Sequence, residues 1–195
     1  MSAILLHLYR TVIAGFVLAV IVALIVVHGA LDWNFWSFVV RWLHVISGIM
    51  WIGHLWYFNF VQTPTMPKIP AELKPGVTKY IAPEALFWFR WGAMATIFFG
   101  LILAYMQGYI ADALALGFIT GSARTIGIGM WLGIIMWFNV WFVIWPNQKK
   151  VLGIVPAEPD AIAKAGRIGT LFSRTNTLLS IPMLFCMVGQ QNGIG

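Results

Sequence analysis

The chain has 195 residues, 61% of them hydrophobic and 9% charged, with a formal net charge of +6; soluble domains carry roughly 45–50% apolar and about 25% charged residues. That balance excludes a soluble globular enzyme, the lack of period-two alternation excludes a β-barrel, and cations scattered among loops exclude a nucleic-acid-binding face. The apolar residues fall in runs of about 20, enough for a helix to cross roughly 30 Å of hydrocarbon. The sequence therefore predicts an all-α integral membrane protein: one polytopic domain over residues 1–195, about five transmembrane helices, short interfacial helices, and the lipid bilayer as its first partner.

The first predicted span runs from about Thr11 to Ala30, longer than a signal-peptide apolar core, and is read as retained. The second covers about Trp36 to Phe60, with Trp and Tyr near both ends as interfacial belts require. Residues Val61 to Pro83 contain Pro64, Pro67, Pro70, Pro75 and Pro83 and are expected to break into a surface loop. Ala85 to Gln107 forms the third span, entered through Glu84, and Gly108 to Ala123 suits an interfacial helix. Thr125 to Trp145 is the fourth span, with a stop expected at Pro146-Asn147-Gln148-Lys149-Lys150. An amphipathic helix is expected over Pro156 to Ser173, and then a fifth span over about Asn176 to Val188 with a kink or hydrogen-bond gap at Pro182.

With five spans and the amino terminus inside, ten of the twelve Lys and Arg residues fall inside, leaving Arg41 and Arg124 outside. The positive-inside rule thus predicts an N-in, C-out orientation.

Four histidines are the natural search points, because an ionisable group inside a span marks a candidate functional site. Positions 41, 44, 48, 51 and 55 share one helical stripe: Arg41, His44, Gly48, Trp51 and Leu55. Haem in a helix bundle needs an imidazole for iron, small residues where the macrocycle approaches, and cations for its propionates. His44, Gly48 and Arg41 supply these, so His44 is the candidate iron ligand of a non-covalent b-type haem. Equally, His44 could hydrogen-bond a neighbouring carbonyl, Gly48 could permit close helix packing, and Arg41 could pair with Asp32 or Asp112 or reach for the interface.

His44 lies roughly 12 Å below the outer end of its span and His28 only about 3–5 Å below the end of the first, a poor match for one haem. Met136 or Met183 reaches a closer depth and offers a thioether as second axial ligand, or serves as core filler. His54 lies roughly 15 Å lower than His44 and about 80° round the helix, so the two cannot ligate one iron. A second haem, a proton step or a plain hydrogen bond are open for it. Arg90, within Phe87-Trp88-Phe89-Arg90-Trp91, suits an anionic ligand or a propionate, or anchors structurally by stacking between its neighbours and pairing with Glu84. Asn139 and Asn176 are expected to bridge helices. The single Cys186 provides no CxxCH and hence no covalent haem c site.

Several long motifs carry a family likeness. Arg41-Trp42-Leu43-His44-Val45 with Trp51-Ile52-Gly53, the run Glu84 to Trp91, Met136-Trp137-Phe138-Asn139-Val140-Trp141-Phe142-Val143-Ile144-Trp145-Pro146-Asn147-Gln148-Lys149, and the run Ser173 to Met183 resemble the membrane domain of the bacterial membrane-bound urate oxidase (urate hydroxylase) family. The likeness extends from about Val40 to Met187. It implies a multi-pass protein of the bacterial inner (cytoplasmic) membrane. That family joins its helices to a C-terminal cytochrome c domain and passes electrons from urate to it. With no CxxCH before Gly195, the expected form is a stand-alone relative that exchanges electrons with a separate cytochrome or a quinone. Two other readings stand beside it: a urate- or purine-oxidising enzyme served by a separate cytochrome c, and a non-catalytic subunit of a larger membrane complex.

Overall fold

The computed structural model describes residues 2–27 and 31–194, which places the His28 expectation outside the described residues. The protein is all-helical, with 83% of residues in helix and no strand among those described. Five helices are long and apolar enough to cross a membrane. They are α1 (Leu8–Val26), α2 (Trp33–Lys68), α3 (Lys74–Met106), α5 (Arg124–Val151) and α6 (Pro159–Gln191). The short α4 (Ile110–Leu114) lies between α3 and α5.

The chain divides into two units, Met1–Trp36 and Ser37–Gly195. In the first, a single turn at Ser2–Leu5 precedes α1, and the Arg10 guanidinium and Thr11 hydroxyl donate back to the carbonyls of Ala3 and Ile4. Asp32 opens α2 as its N-cap: its carboxylate accepts the Phe35 backbone N–H at 2.9 Å.

In the second unit the core gathers Trp51, Ile52 and Leu55 of α2, Leu86, Phe89 and Ala93 of α3, Met136, Val140 and Ile144 of α5, and Met183 of α6. Polar side chains fasten the helices across it. Asn139 Nδ2 donates to Asn176 Oδ1 at 2.8 Å, and Asn176 Nδ2 to the Met136 carbonyl at 2.9 Å. The Trp56 indole donates to Ser180 Oγ, and Asn59 to Ser173 Oγ. The bridging role expected of Asn139 and Asn176 is thus the one they fill; Asn176 is fully buried.

Proline acts differently from expectation. Helix α2 runs through Pro64 and Pro67 to Lys68, and α5 runs through Pro146 to Val151, so the breaker-rich segment interrupts the helices only over residues 69–73. The reason lies in three π-helical segments, Tyr57–Gln62, Val77–Ile81 and Asn139–Ile144. Each ends two residues before a proline: Pro64, Pro83 and Pro146. A proline ring clashes with the carbonyl four residues earlier and cannot donate to it; those carbonyls, of Phe60, Lys79 and Phe142, lie in the widened turns. The Thr63, Ala82 and Trp145 amides bond five residues back, to Phe58, Val77 and Val140. Widening by one residue absorbs the proline without ending the helix.

Two further boundaries are corrected. The amphipathic segment and the fifth span form one 33-residue helix, with Pro159 in its first turn and Pro182 inside it; Arg174 and Thr175 between them are polar but do not break helices. The expected interfacial helix shrinks to the five residues of α4. The chain after it is held by Asp112, whose carboxylate accepts the backbone N–H groups of Ile119, Thr120 and Ala123 and the Thr120 hydroxyl. These four donors hold the Asp112 carboxyl down to about 2.

Candidate functional site

The stripe of Arg41, His44, Gly48 and Trp51 faces α3, which presents small residues at Gly92, Thr96 and Gly100. A Cβ at Gly92 would stand 3.1 Å from the Trp51 backbone nitrogen, and one at Gly100 would stand 2.9 Å from His44 Cε1. A side chain at Gly100 would push the His44 ring aside, and one at Gly92 would crowd the α2 backbone, so both glycines favour the close approach of the two helices. Gly48 faces the Thr96 methyl, which a Cβ there would meet at 3.9 Å.

Within this contact His44 Nδ1 lies 2.8 Å from the Thr96 carbonyl oxygen. A carbonyl only accepts, so Nδ1 carries the proton, and in the neutral ring the lone pair is on Nε2. Among the described residues no donor reaches that lone pair. Thr96 is held in turn by its own hydroxyl, which donates to the Gly92 carbonyl at 2.7 Å. One turn before His44, Arg41 sits half-buried close enough to influence the Tyr109 phenol. Burial pushes that phenol up from its ordinary value, and the Arg41 charge opposes the shift. Asp112 is not a partner for Arg41, since its oxygens are committed to residues 119–123.

The register between α2 and α3 decides which candidates meet. His44 lies against Gly100 and Trp51 against Gly92, so Arg90 belongs with the other half of α2, beside the Phe58–Phe89 contact. Arg90 and His44 are thus separated by roughly 15 Å of helix. Arg41, His44 and Gly48 form one group. Trp51 is in the core, and Met136 and Met183 fill that core beside it.

His54 Nδ1 lies 2.7 Å from the Met50 carbonyl of its own helix, and no hydrogen bond ties its ring to another helix among the described residues. It lines, with Ile49, Tyr57, Ile81 and Ala85, an open apolar groove of about 490 Å³. Arg90 is 9% exposed, and its stacking partner differs from the one expected. The guanidinium carbon lies 3.4 Å from the centroid of the Trp145 ring on α5 rather than between its sequence neighbours. The Glu84 pairing is absent among the described contacts, and Arg90 Nη1 is buried with no hydrogen-bond partner.

Thr96, Gly100 and Trp145 are the residues that sequence reasoning passed over. Gly92, Thr96 and Gly100 do recur at four-residue spacing in α3, a signal for a close-packing face. Nothing local points Arg90 at Trp145.

Compared with known families, residues 109–194 match the one described as urate oxidase N-terminal. No curated protein and no solved structure matches the chain.

Proposed function

We propose, from the match of residues 109–194 to the urate oxidase N-terminal family, that this chain is a multi-pass redox protein related to urate oxidation. In this reading it binds a b-type haem through His44 and exchanges electrons with a partner cytochrome or a quinone. One observation carries the reading: an imidazole in a membrane span has one nitrogen fixed on the Thr96 carbonyl at 2.8 Å and a free lone pair on the other.

The donor chemistry fits the group. An iron-ligating histidine characteristically donates its second N–H to a backbone carbonyl, which fixes the tautomer and makes the ligating nitrogen more basic. Gly100 lets the ring lie flush on α3, and the Thr96 carbonyl holds its tilt. Arg41, on the same face, offers the cation that suits a propionate. When bound, haem b supplies one-electron chemistry at iron. Met136 and Met183 pack in the core with Trp51.

The reading also carries the N-in, C-out orientation given by the cation distribution and residence in the bacterial inner membrane. Purification of the full chain in mild detergent tests it. Iron near one per chain with a Soret band is the expected result; a folded preparation with neither iron nor a Soret band would sink the proposal.

A further inference from the structure

Independently of any haem, the far half of the bundle holds two cations on one indole. The Arg90 guanidinium carbon lies 3.4 Å from the Trp145 ring centroid, and Lys149 Nζ lies 5.9 Å from the same centroid. No carboxylate is bonded to either among the described residues, although Glu72, Glu84, Glu158 and Asp160 lie in neighbouring segments. Arg90 Nη1 is buried without a partner, and so are the indole N–H groups of Trp137 and Trp141, which precede Trp145 on α5. Trp141 packs on Trp91, the residue next to Arg90, with centroids 5.6 Å apart. The cluster is all donors and positive charge, and it is short of acceptors.

A buried guanidinium with an open N–H is stable when an anion completes it, and planar Arg donors suit the paired oxygens of a phosphate. The cluster lies one turn inside Lys149 and Lys150, at the end of α5 where an anionic headgroup would meet the helix, and basic pockets between membrane helices hold such headgroups. We propose that Arg90, Trp145 and Lys149 form a phosphate-binding site. Arg90 would take the oxygens bidentately, Lys149 would supply the second charge from a flexible stem, and the Trp145 face would hold both cations in place. The phosphate belongs either to an anionic phospholipid or to the free ion.

The test uses the full chain, delipidated and placed in nanodiscs of phosphatidylcholine alone or with phosphatidylglycerol. Retained lipid is read by native mass spectrometry and tryptophan emission is followed in each. A parallel arm titrates inorganic phosphate into the phosphatidylcholine discs. Preferential retention of phosphatidylglycerol with an emission shift assigns a lipid headgroup; a saturable response to inorganic phosphate assigns the free ion. Either response should weaken at least about tenfold in Arg90→Gln. Lys149→Gln, on a more accessible side chain, should weaken it measurably if the first variant folds poorly. Equal retention of both lipids with no phosphate response would overturn the site, as would wild-type binding in a folded Arg90→Gln or Lys149→Gln protein.

Discussion

His44 and Thr96 lock α2 to α3 through a single 2.8 Å contact from imidazole Nδ1 to a backbone carbonyl, and Gly100 leaves no slack beneath the ring. A methyl group at Gly100 would stand 2.9 Å from His44 Cε1, so Gly100→Ala must tilt the imidazole or part the helices. The expected result is a protein destabilised by about 1–3 kcal/mol with a weakened b-type absorbance. Thermal unfolding and the visible spectrum, measured on the same sample, check both.

Gly92 gives a sharper contrast. A Cβ there meets the Trp51 backbone nitrogen at 3.1 Å, whereas one at Gly53 meets nothing within 4 Å. Backbone cannot swing aside as a side chain can, so Gly92→Ala should cost about 1–3 kcal/mol. Gly53→Ala should be neutral or slightly stabilising. Unfolding in graded detergent mixtures separates the two variants.

Asn176 joins α6 to α5 by accepting from Asn139 and donating to the Met136 carbonyl. Asn176→Ala removes both bonds and leaves a buried amide on Asn139 without its acceptor, a loss of about 1–2 kcal/mol. Steric-trapping measurements of the folding equilibrium would show it. An unchanged equilibrium would mean that the bridge contributes nothing.

Acid should loosen one segment before the rest. The Asp112 carboxyl is depressed to about 2 from an ordinary 3.8, so the folded state favours the charged form. Its stabilisation is complete above the ordinary value and is lost as pH falls through about 2. Hydrogen exchange at the Ile119, Thr120 and Ala123 amides should therefore accelerate selectively across that window. In Asp112→Asn the same amides should already exchange faster at neutral pH.

The spans were legible because a membrane helix announces itself by the length of its apolar run, and all five runs are helices. Their ends were not. Local rules stop a helix at Pro64 and Pro146, but the widened turns at Tyr57–Gln62 and Asn139–Ile144 accept the ring, and nothing in the residue pattern announces a π segment. At the site, the periodicity of α2 puts Arg41, His44 and Gly48 on one face, yet a period cannot say which helix that face meets. The register against Gly92 and Gly100 emerges only from packing, and it is this register that separates Arg90 from His44. For the same reason the Arg90–Trp145 contact, spanning 55 residues of chain, could not be read from the aromatic neighbours of Arg90.

The most direct measurement is the reduced-minus-oxidised absorbance difference of the purified wild-type chain beside His44→Ala and His54→Ala. A b-type signal present in the wild type and in His54→Ala but abolished in a folded His44→Ala is the expected result. A wild type without the signal, or a His44→Ala variant that keeps it in full, would contradict haem ligation by His44.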